Sequence, residues 1–266
     1  MATLDSLPPE IQFNILSYAG AFDPTLTPKH PLYALADTNR HLRSIVEEYT
    51  RGLLKQHANV TLSEKRKQST TCRRKWFRWL ADTCQVCKKR SARKAILEPT
   101  MTCCAACDRK HFPKMTMTRA ITEHGLSKLD LFTPNVLHTS LAPLSVGEYF
   151  IAGCDATMIS EPDVLARKKY ILCRLGLKGE HSGYLRRRAM AHDRLILHMG
   201  IRYRSGCGRW VKDSPWRSEE DRVEVKGPAS MRTAESRKKF IKKELDIARS
   251  ALGIAGYSEK MPIEVD

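Results

Sequence analysis

Residues 84–107 read CQVCKKRSARKAILEPTMTCCAAC and contain two C-x2-C pairs, 16 residues apart, in a chain of 266 residues. The pairs are Cys84 with Cys87 and Cys104 with Cys107. Each C-x2-C turn directs two thiolates at one point, and two such turns complete a tetrahedral shell. The spacing therefore predicts one zinc ion, and because all four positions are filled, the ion is structural rather than catalytic.

Two residues beside these pairs are alternative ligands. Cys103 competes with Cys104, and His111 could replace one sulfur, although the regular spacing favours the two C-x2-C pairs. The chain has nine cysteines and opens without the basic and apolar regions of a secretory signal. We therefore expect a reducing compartment, the cytoplasm or the nucleus, and metal ligation instead of a disulfide framework.

Composition and charge exclude two classes of protein. Apolar residues make up 42% and charged residues 28% of the sequence, which excludes a disordered or collagen-like chain. No stretch approaches the roughly 20 uncharged apolar residues of a transmembrane helix, so we expect no membrane partner. The net charge of +17 is concentrated in residues 61–120, where 16 Lys and Arg stand against 4 Asp and Glu, a net of +12. This uneven distribution favours several small units.

Helical spacing of apolar residues predicts a mainly α fold. Residues 1–57 form a small helical head, and a basic connecting helix lies within residues 58–83 with Ser63 as its candidate N-cap. Residues 84–132 form a small four-cysteine zinc finger, with little sheet, and the helix that follows it. Residues 133–266 form an α-rich C-terminal region, which could bind a substrate.

The connecting helix mixes cations with aromatic residues, and this pattern has two interpretations. The basic segment 64–94 could contact phosphates and stack on bases. Alternatively, the helix is amphipathic and packs on the head through Trp76 and Leu80, with its cations in solvent or in a nuclear localisation signal. The candidate nucleic-acid contacts are Arg73, Arg74, Lys75, Trp76 and Arg78.

The C-terminal region offers no catalytic motif. We expect helices over 182–199 and 229–252 and a polar loop over 203–228. The arginine run 186–188 could bind an acidic substrate, but a solvated helix face is the favoured interpretation. His192 and Asp193 are adjacent, but no nucleophile elbow, glycine-rich phosphate loop or catalytic metal motif accompanies them. We therefore expect no enzyme activity.

The head resembles an F-box. Residues 7–11 read LPPEI, which matches the opening Leu-Pro-x-Glu-(Leu/Ile) of that family, and the resemblance covers about residues 4–50. The chain departs from the family at Thr38, where Cys is frequent, at Leu42, where Trp is frequent, and by a proline-rich insertion. The alternative is that LPPEI is an ordinary capped helix start. Later apolar positions of the family match Ile15, Leu16, Leu32, Leu35, Leu42 and Ile45.

The order of an F-box and then a cysteine cluster of this kind is typical of a large group of filamentous-fungal proteins, which the chain resembles. Residues 84–131 are also similar to the zinc finger of the repair factor XPA. The resemblance implies a substrate receptor of an SCF-type cullin–RING ubiquitin ligase, with an unidentified substrate protein. The alternative function is a zinc-finger protein that binds nucleic acid through residues 64–94. By the resemblance, the residues that dock on the Skp-type adaptor are Leu7, Pro8, Ile11, Leu35 and Leu42.

Overall fold

The computed structural model describes residues 4–23, 30–61, 71–151, 153–212 and 228–254. Within these ranges helices dominate and the sheets are small, which confirms the mainly α prediction. The chain divides into two compact units, Met1–Phe112 and Pro113–Asp266. The predicted start of the connecting helix at Ser63, and residues 64–70 of the basic segment, lie outside the described residues.

The described part of the first unit contains five α-helices: α1 (Pro9–Ser17), α2 (Pro31–Thr38), α3 (Arg40–Ala58), α4 (Cys72–Asp82) and α5 (Ala105–His111). Local side chains fix the boundaries of α2 and α3. His30 accepts the N–H of Leu32 at 3.2 Å at the start of α2, and Asn39 accepts the N–H of Leu42 at 2.8 Å at the start of α3. Asn59 ends α3 in the left-handed conformation, with φ 52°.

The core of the first unit joins the head to α4, as the amphipathic interpretation predicted. Trp76, Phe77 and Leu80 on one side of α4 are fully buried and cluster with the head residues Leu32 and Leu54. The indole N–H of Trp76 donates to the carbonyl of Ala21 at 2.6 Å. Each fully buried large side chain contributes roughly 1.5–3 kcal/mol, so α4 is an integral part of the head.

The second unit surrounds a small antiparallel sheet with helices. Its strands are β1 (Lys114–Thr116), β2 (Val146–Ile151) and β3 (Cys154–Ser160), in the order β1-β3-β2, and Ile159 pairs with both Met115 and Val146. The helices are α6 (Met117–His124), α7 (Lys128–Leu131), α8 (Glu161–Leu175), α9 (Ser182–Met199) and α10 (Ala234–Ala251).

The core of the second unit differs from the predicted segmentation. Residues 113–132, which we grouped with the zinc finger, contribute Met115, Leu129 and Leu131 to the core that contains Ile159 and Leu195. These three apolar residues are buried by elements that follow them in sequence, so they belong to the core of the second unit. The unit boundary therefore falls at Phe112, directly after α5.

A hairpin replaces part of the predicted polar loop. Strands β4 (Ile201–Arg204) and β5 (Arg209–Lys212) pair antiparallel, and the stacked rings of Tyr203 and Phe132, 4.0 Å apart, attach the hairpin to the core. The loop prediction for residues 203–212 was wrong, because two half-buried aromatic residues give the hairpin an apolar side. The remaining loop residues 213–227 lie outside the described ranges.

Candidate metal centre and surrounding surfaces

The first cysteine pair lies in a tight turn. The N–H of Lys88 donates to the carbonyl of Cys84, and the N–H of Cys84 donates to the carbonyl of Lys89, both at 2.9 Å. Lys88 takes the left-handed conformation, with φ 61°, which reverses the chain. The turn brings the side chains of Cys84 and Cys87 to the same side.

The second pair lies at the start of a helix. Cys104 occupies the N-cap position of α5, its carbonyl accepts the N–H of Asp108 at 2.9 Å, and Cys107 follows in the first turn. The buried carboxylate of Asp108 accepts from Arg93 at 2.8 Å and so holds the intervening loop against α5. Residues 83–104 contain only isolated bridges, Thr83 with Arg90 and Lys94 with Thr102, in agreement with a finger that has little sheet.

The four sulfurs form a cluster of the right size for a metal ion. The ligand atoms of Cys84, Cys87, Cys104 and Cys107 all lie within 4.8 Å of one another, and the sulfurs of Cys87 and Cys104 are 3.7 Å apart. A tetrahedron with metal–sulfur bonds of about 2.3 Å has sulfur–sulfur edges of about 3.8 Å. The predicted set could therefore hold one metal ion.

The pKa values of the Cys84 and Cys107 thiols are shifted in opposite directions. Burial opposes ionisation of Cys84, but hydrogen bonds from the backbone of Cys104, Cys87 and Val86 outweigh it and lower its pKa to about 6. The hydrogen bond with Cys104, followed by burial, raises the pKa of Cys107 to about 12. A bound cation supplies the charge that makes a full set of four thiolates favourable.

Neither alternative ligand joins the cluster. Cys103 is fully buried beside Ala95, and burial, followed by the charge of Cys84, raises its pKa to about 12. His111 lies at the C-terminal end of α5 and is exposed. Among the described residues, no other Cys, His, Asp or Glu completes a group with the four sulfurs.

The residues predicted to dock on an adaptor separate into accessible and inaccessible ones. Pro8 and Ile11 are exposed, and Leu7 and Leu35 are partly buried. Leu42 is only 8% exposed, so it is unavailable to a partner in this conformation. Its assignment to the docking face was wrong, because Leu42 lies in the first turn of α3 and is buried in the head.

An exposed apolar stripe follows α1 instead. Ile11 is 48%, Ile15 is 42% and Tyr18 is 86% exposed, and their spacing of four and three residues places them on one side of the helix. The opposite side of α1 buries Gln12 and Leu16 in the head. Ile11 and Ile15 were both named among the apolar positions of the F-box resemblance, whereas Tyr18 was not identified from the sequence.

Two of the five candidate nucleic-acid contacts are engaged inside the first unit. Trp76 is fully buried, so its ring cannot stack on a base, and this part of the prediction was wrong. The Arg73 side chain is 11% exposed, lies 3.3 Å from the Glu47 carboxylate, and stacks 4.9 Å from the Tyr33 ring. Glu47 also accepts the N–H of Cys72 and so caps α4.

The available cations lie elsewhere. Arg74 and Arg78 are exposed on α4, and Lys75 is partly buried. Further exposed cations surround the cysteine cluster, in the loop and on α5: Lys88, Lys89, Arg90, Lys94, Arg109 and Lys110. Among the described residues of the first unit's basic segment and α5, the exposed positive charge thus lies mainly around the cysteine cluster and only partly on α4.

The sequence analysis missed a buried polar network in the second unit. Its centre is the Asp130 carboxylate, which is fully buried and accepts both guanidinium Nη atoms of Arg188, at 2.6 and 2.7 Å, together with His138 Nε2 at 3.1 Å. The hydroxyl of Ser127 lies 2.8 Å from Asp130 Oδ2 and 2.6 Å from His192 Nδ1. Arg188 is therefore an internal ion-pair partner, and the solvated-face interpretation was wrong for it.

Charge compensation explains how this carboxylate remains ionised. Burial opposes ionisation, but the charge of Arg188 and the hydrogen bond from His138 hold the pKa of Asp130 well below its usual range. Burial, followed by the charge of Arg188, lowers the pKa of His192 to about 4. The sequence did contain one signal, since Ser127 and Asp130 form the S-x-x-D pattern of a capping box, which α7 uses.

The network brings a Ser, a His and an Asp together without forming an accessible nucleophile. Ser127 is 1% exposed, and its hydroxyl is shared between Asp130 and His192 inside the unit. The expectation that the chain is not an enzyme stays a prediction.

Comparisons with models of known protein families, with curated proteins and with solved structures each returned no match. Among the described residues, no helix has the length and apolar character needed to span a membrane.

Proposed function

We propose that the chain is an F-box substrate receptor that docks on a Skp-type adaptor of a cullin–RING ubiquitin ligase through α1. The apolar stripe of Ile11, Ile15 and Tyr18 carries this proposal. A compact helical head that leaves three large apolar side chains in solvent along one helix side has a surface suited to a protein partner. The stripe continues directly from the LPPEI segment on which the family resemblance rests.

The structure modifies the docking face that the resemblance implies. Pro8, Ile11, Ile15 and Tyr18 are accessible together, whereas Leu42 stabilises the head. In this proposal the adaptor buries the side of α1 that the head leaves uncovered. Ubiquitin transfer takes place on other subunits, so the chain contributes binding only, and the second unit is the part available for the substrate protein.

We further propose that the metal is a structural zinc ion. Four cysteine sulfurs within 4.8 Å of one another match the donor set of structural zinc sites, which leaves no position for a water ligand. When bound, zinc would join the turn at Cys84 to the start of α5. Besides the three buried residues Cys84, Ala95 and Cys103, this module has little apolar core of its own, so its folding depends on the ion.

Co-purification with a fungal Skp-type adaptor tests the docking proposal. The variant Ile15→Glu places a carboxylate in the proposed interface, and we expect roughly 100-fold weaker binding because a buried unpaired charge costs several kcal/mol. Ser17→Glu is the matched control, since Ser17 is exposed on α1 and faces about 160° away from Ile15. Failure of the folded, zinc-loaded wild type to bind, or equal loss in both variants, would overturn the proposal.

Nucleic-acid binding is a second candidate function because exposed cations surround the cysteine cluster. Lys88, Lys89 and Arg90 follow one another in the first turn, and Arg109 and Lys110 lie on α5. Phosphate contacts from such a surface would make affinity fall steeply with salt concentration.

Fluorescence anisotropy with a labelled oligonucleotide at several salt concentrations tests this candidate. Lys89→Glu should weaken binding and reduce the salt slope by about one. Lys55→Glu is the control with the same charge change, because Lys55 is exposed on α3. Equal effects of both substitutions would indicate a general charge effect without a defined surface.

A further inference from the structure

The buried network determines which nitrogen of His192 carries the proton. Asp130 only accepts hydrogen bonds, so it takes the hydroxyl proton of Ser127 at 2.8 Å. The Ser127 oxygen must then accept from His192 Nδ1 at 2.6 Å, and neutral His192 has its second nitrogen, Nε2, unprotonated. Burial keeps the ring neutral by lowering its pKa to about 4. No described residue hydrogen-bonds to Nε2.

A cavity of about 270 Å³ lies where α9 faces α10, and His192 and Arg188 both form part of its wall. These two side chains are 3% and 7% exposed. Arg188 uses its Nη atoms on Asp130, and its Nε–H is buried without a partner among the described residues. The Nε–H of Arg188 has almost no accessible surface, so the polar atom of these two side chains that a ligand in the cavity can reach is His192 Nε2, an unused acceptor.

The remaining wall is mainly apolar. Leu195, Ile247 and Ala248 line the cavity, and Arg187 and Glu244 are also part of its lining. Buried polar groups without partners are rare and cost about 1–3 kcal/mol each. A ligand that donates a hydrogen bond to His192 Nε2 therefore avoids the cost that an apolar ligand of the same size incurs when it leaves this nitrogen without a partner.

We propose that this cavity binds a small molecule with a hydroxyl group on an apolar body. The hydroxyl donates to His192 Nε2. The apolar body lies against Leu195 and Ile247. A carboxylate lacks the proton that the unprotonated Nε2 requires, and a hydrocarbon has no donor, so the hydroxyl is the feature that the site selects.

Titration of the full, metal-loaded chain with phenol and with toluene tests the proposal, because the two probes differ chiefly in the hydroxyl. Long-range ¹H–¹⁵N spectra of the histidine rings report the binding. We expect phenol to shift the His192 Nε2 resonance and to bind at least about tenfold more tightly than toluene. Without probe, the same spectra should show the proton on Nδ1.

Two variants distinguish the cavity from other surfaces. Ala251→Leu fills the cavity from α10 while keeping His192, and it should abolish phenol binding with the Nδ1 proton unchanged. Met190→Leu, at an exposed position of α9 outside this cavity, should bind phenol as the wild type does. Equal binding of phenol and toluene would show an apolar hole only and overturn the proposal. Absence of any phenol response in the folded chain would assign His192 Nε2 to water and overturn it as well.

Discussion

Three consecutive arginines on α9 provide a sharp test of the buried network. Arg186 and Arg187 are exposed, whereas Arg188 is 7% exposed and forms a two-bond ion pair with Asp130. Arg188→Gln leaves the fully buried carboxylate with the hydrogen bonds of Ser127 and His138 but without a compensating charge. Removal of one partner from a buried pair costs about 3–5 kcal/mol. Arg186→Gln and Arg187→Gln should change stability by less than about 0.5 kcal/mol.

Urea denaturation gives the free energy of unfolding of the second unit when it is followed by a probe inside that unit. Trp210 is a suitable probe, since its indole N–H donates to the Phe132 carbonyl at 2.8 Å. Its unfolding can be followed by ¹⁹F NMR after incorporation of 5-fluorotryptophan. In a double-mutant cycle with Asp130→Asn, the two changes should be less destabilising together than their sum, with coupling of at least about 1 kcal/mol. Additive effects, or an Arg188 variant as stable as its neighbours' variants, would refute the ion-pair reasoning.

Three further predictions concern pH, metal and core packing. Because burial lowers the pKa of His192 from 6.5 to about 4, the unfolded state binds more protons between these values. The free energy of unfolding should therefore fall by about 3 kcal/mol as the pH drops from 6.5 to about 4. The urea midpoint of the His192→Gln variant should lack this pH-dependent decrease. Elemental analysis should find one zinc per wild-type chain, little in Cys87→Ser and a full complement in Cys103→Ala. Trp76→Ala should lower the free energy of unfolding of the first unit by about 3–5 kcal/mol in urea titrations, against about 0.5 kcal/mol or less for exposed Arg78→Ala.

The cysteine cluster was predictable because its information is local. A C-x2-C turn fixes the direction of two sulfurs within four residues, and the same turn geometry operates whatever surrounds it. The choice of Cys104 over Cys103 also follows from this periodicity, and the structure places Cys103 in the apolar cluster with Ala95. The packing side of α4 was predictable for a similar reason, since Trp76 and Leu80 are one helical turn apart.

These local patterns did not predict which side chains would be buried by parts of the chain that are distant in sequence. The sequence indicates that Leu42 and Ile11 both lie on apolar helix sides, but only the folded head shows that Leu42 is covered and Ile11 is not. Arg188 illustrates the same limit for charge. The three arginines of the run have the same helix propensity and the same charge, so the run itself does not show which one is buried. The partner that decides this, Asp130, lies 58 residues away in sequence. Periodicity identifies a side of a helix, and the tertiary fold decides what that side meets.

The buried network also explains why a single arginine, and not the whole run, is internal. Successive residues of a helix are rotated by about 100°, so when Arg188 points toward Asp130, Arg187 and Arg186 point progressively away from it. The Asp130 side chain is fixed independently by its capping bonds to Ser127, which place it at the start of α7. Since α7 holds the carboxylate and α9 the guanidinium, the pair joins the two helices, together with the Ser127–His192 hydrogen bond and the ion pair of Lys128 with Asp193. These directional contacts set the rotation of α9, and that rotation in turn directs His192 to the cavity beside α10.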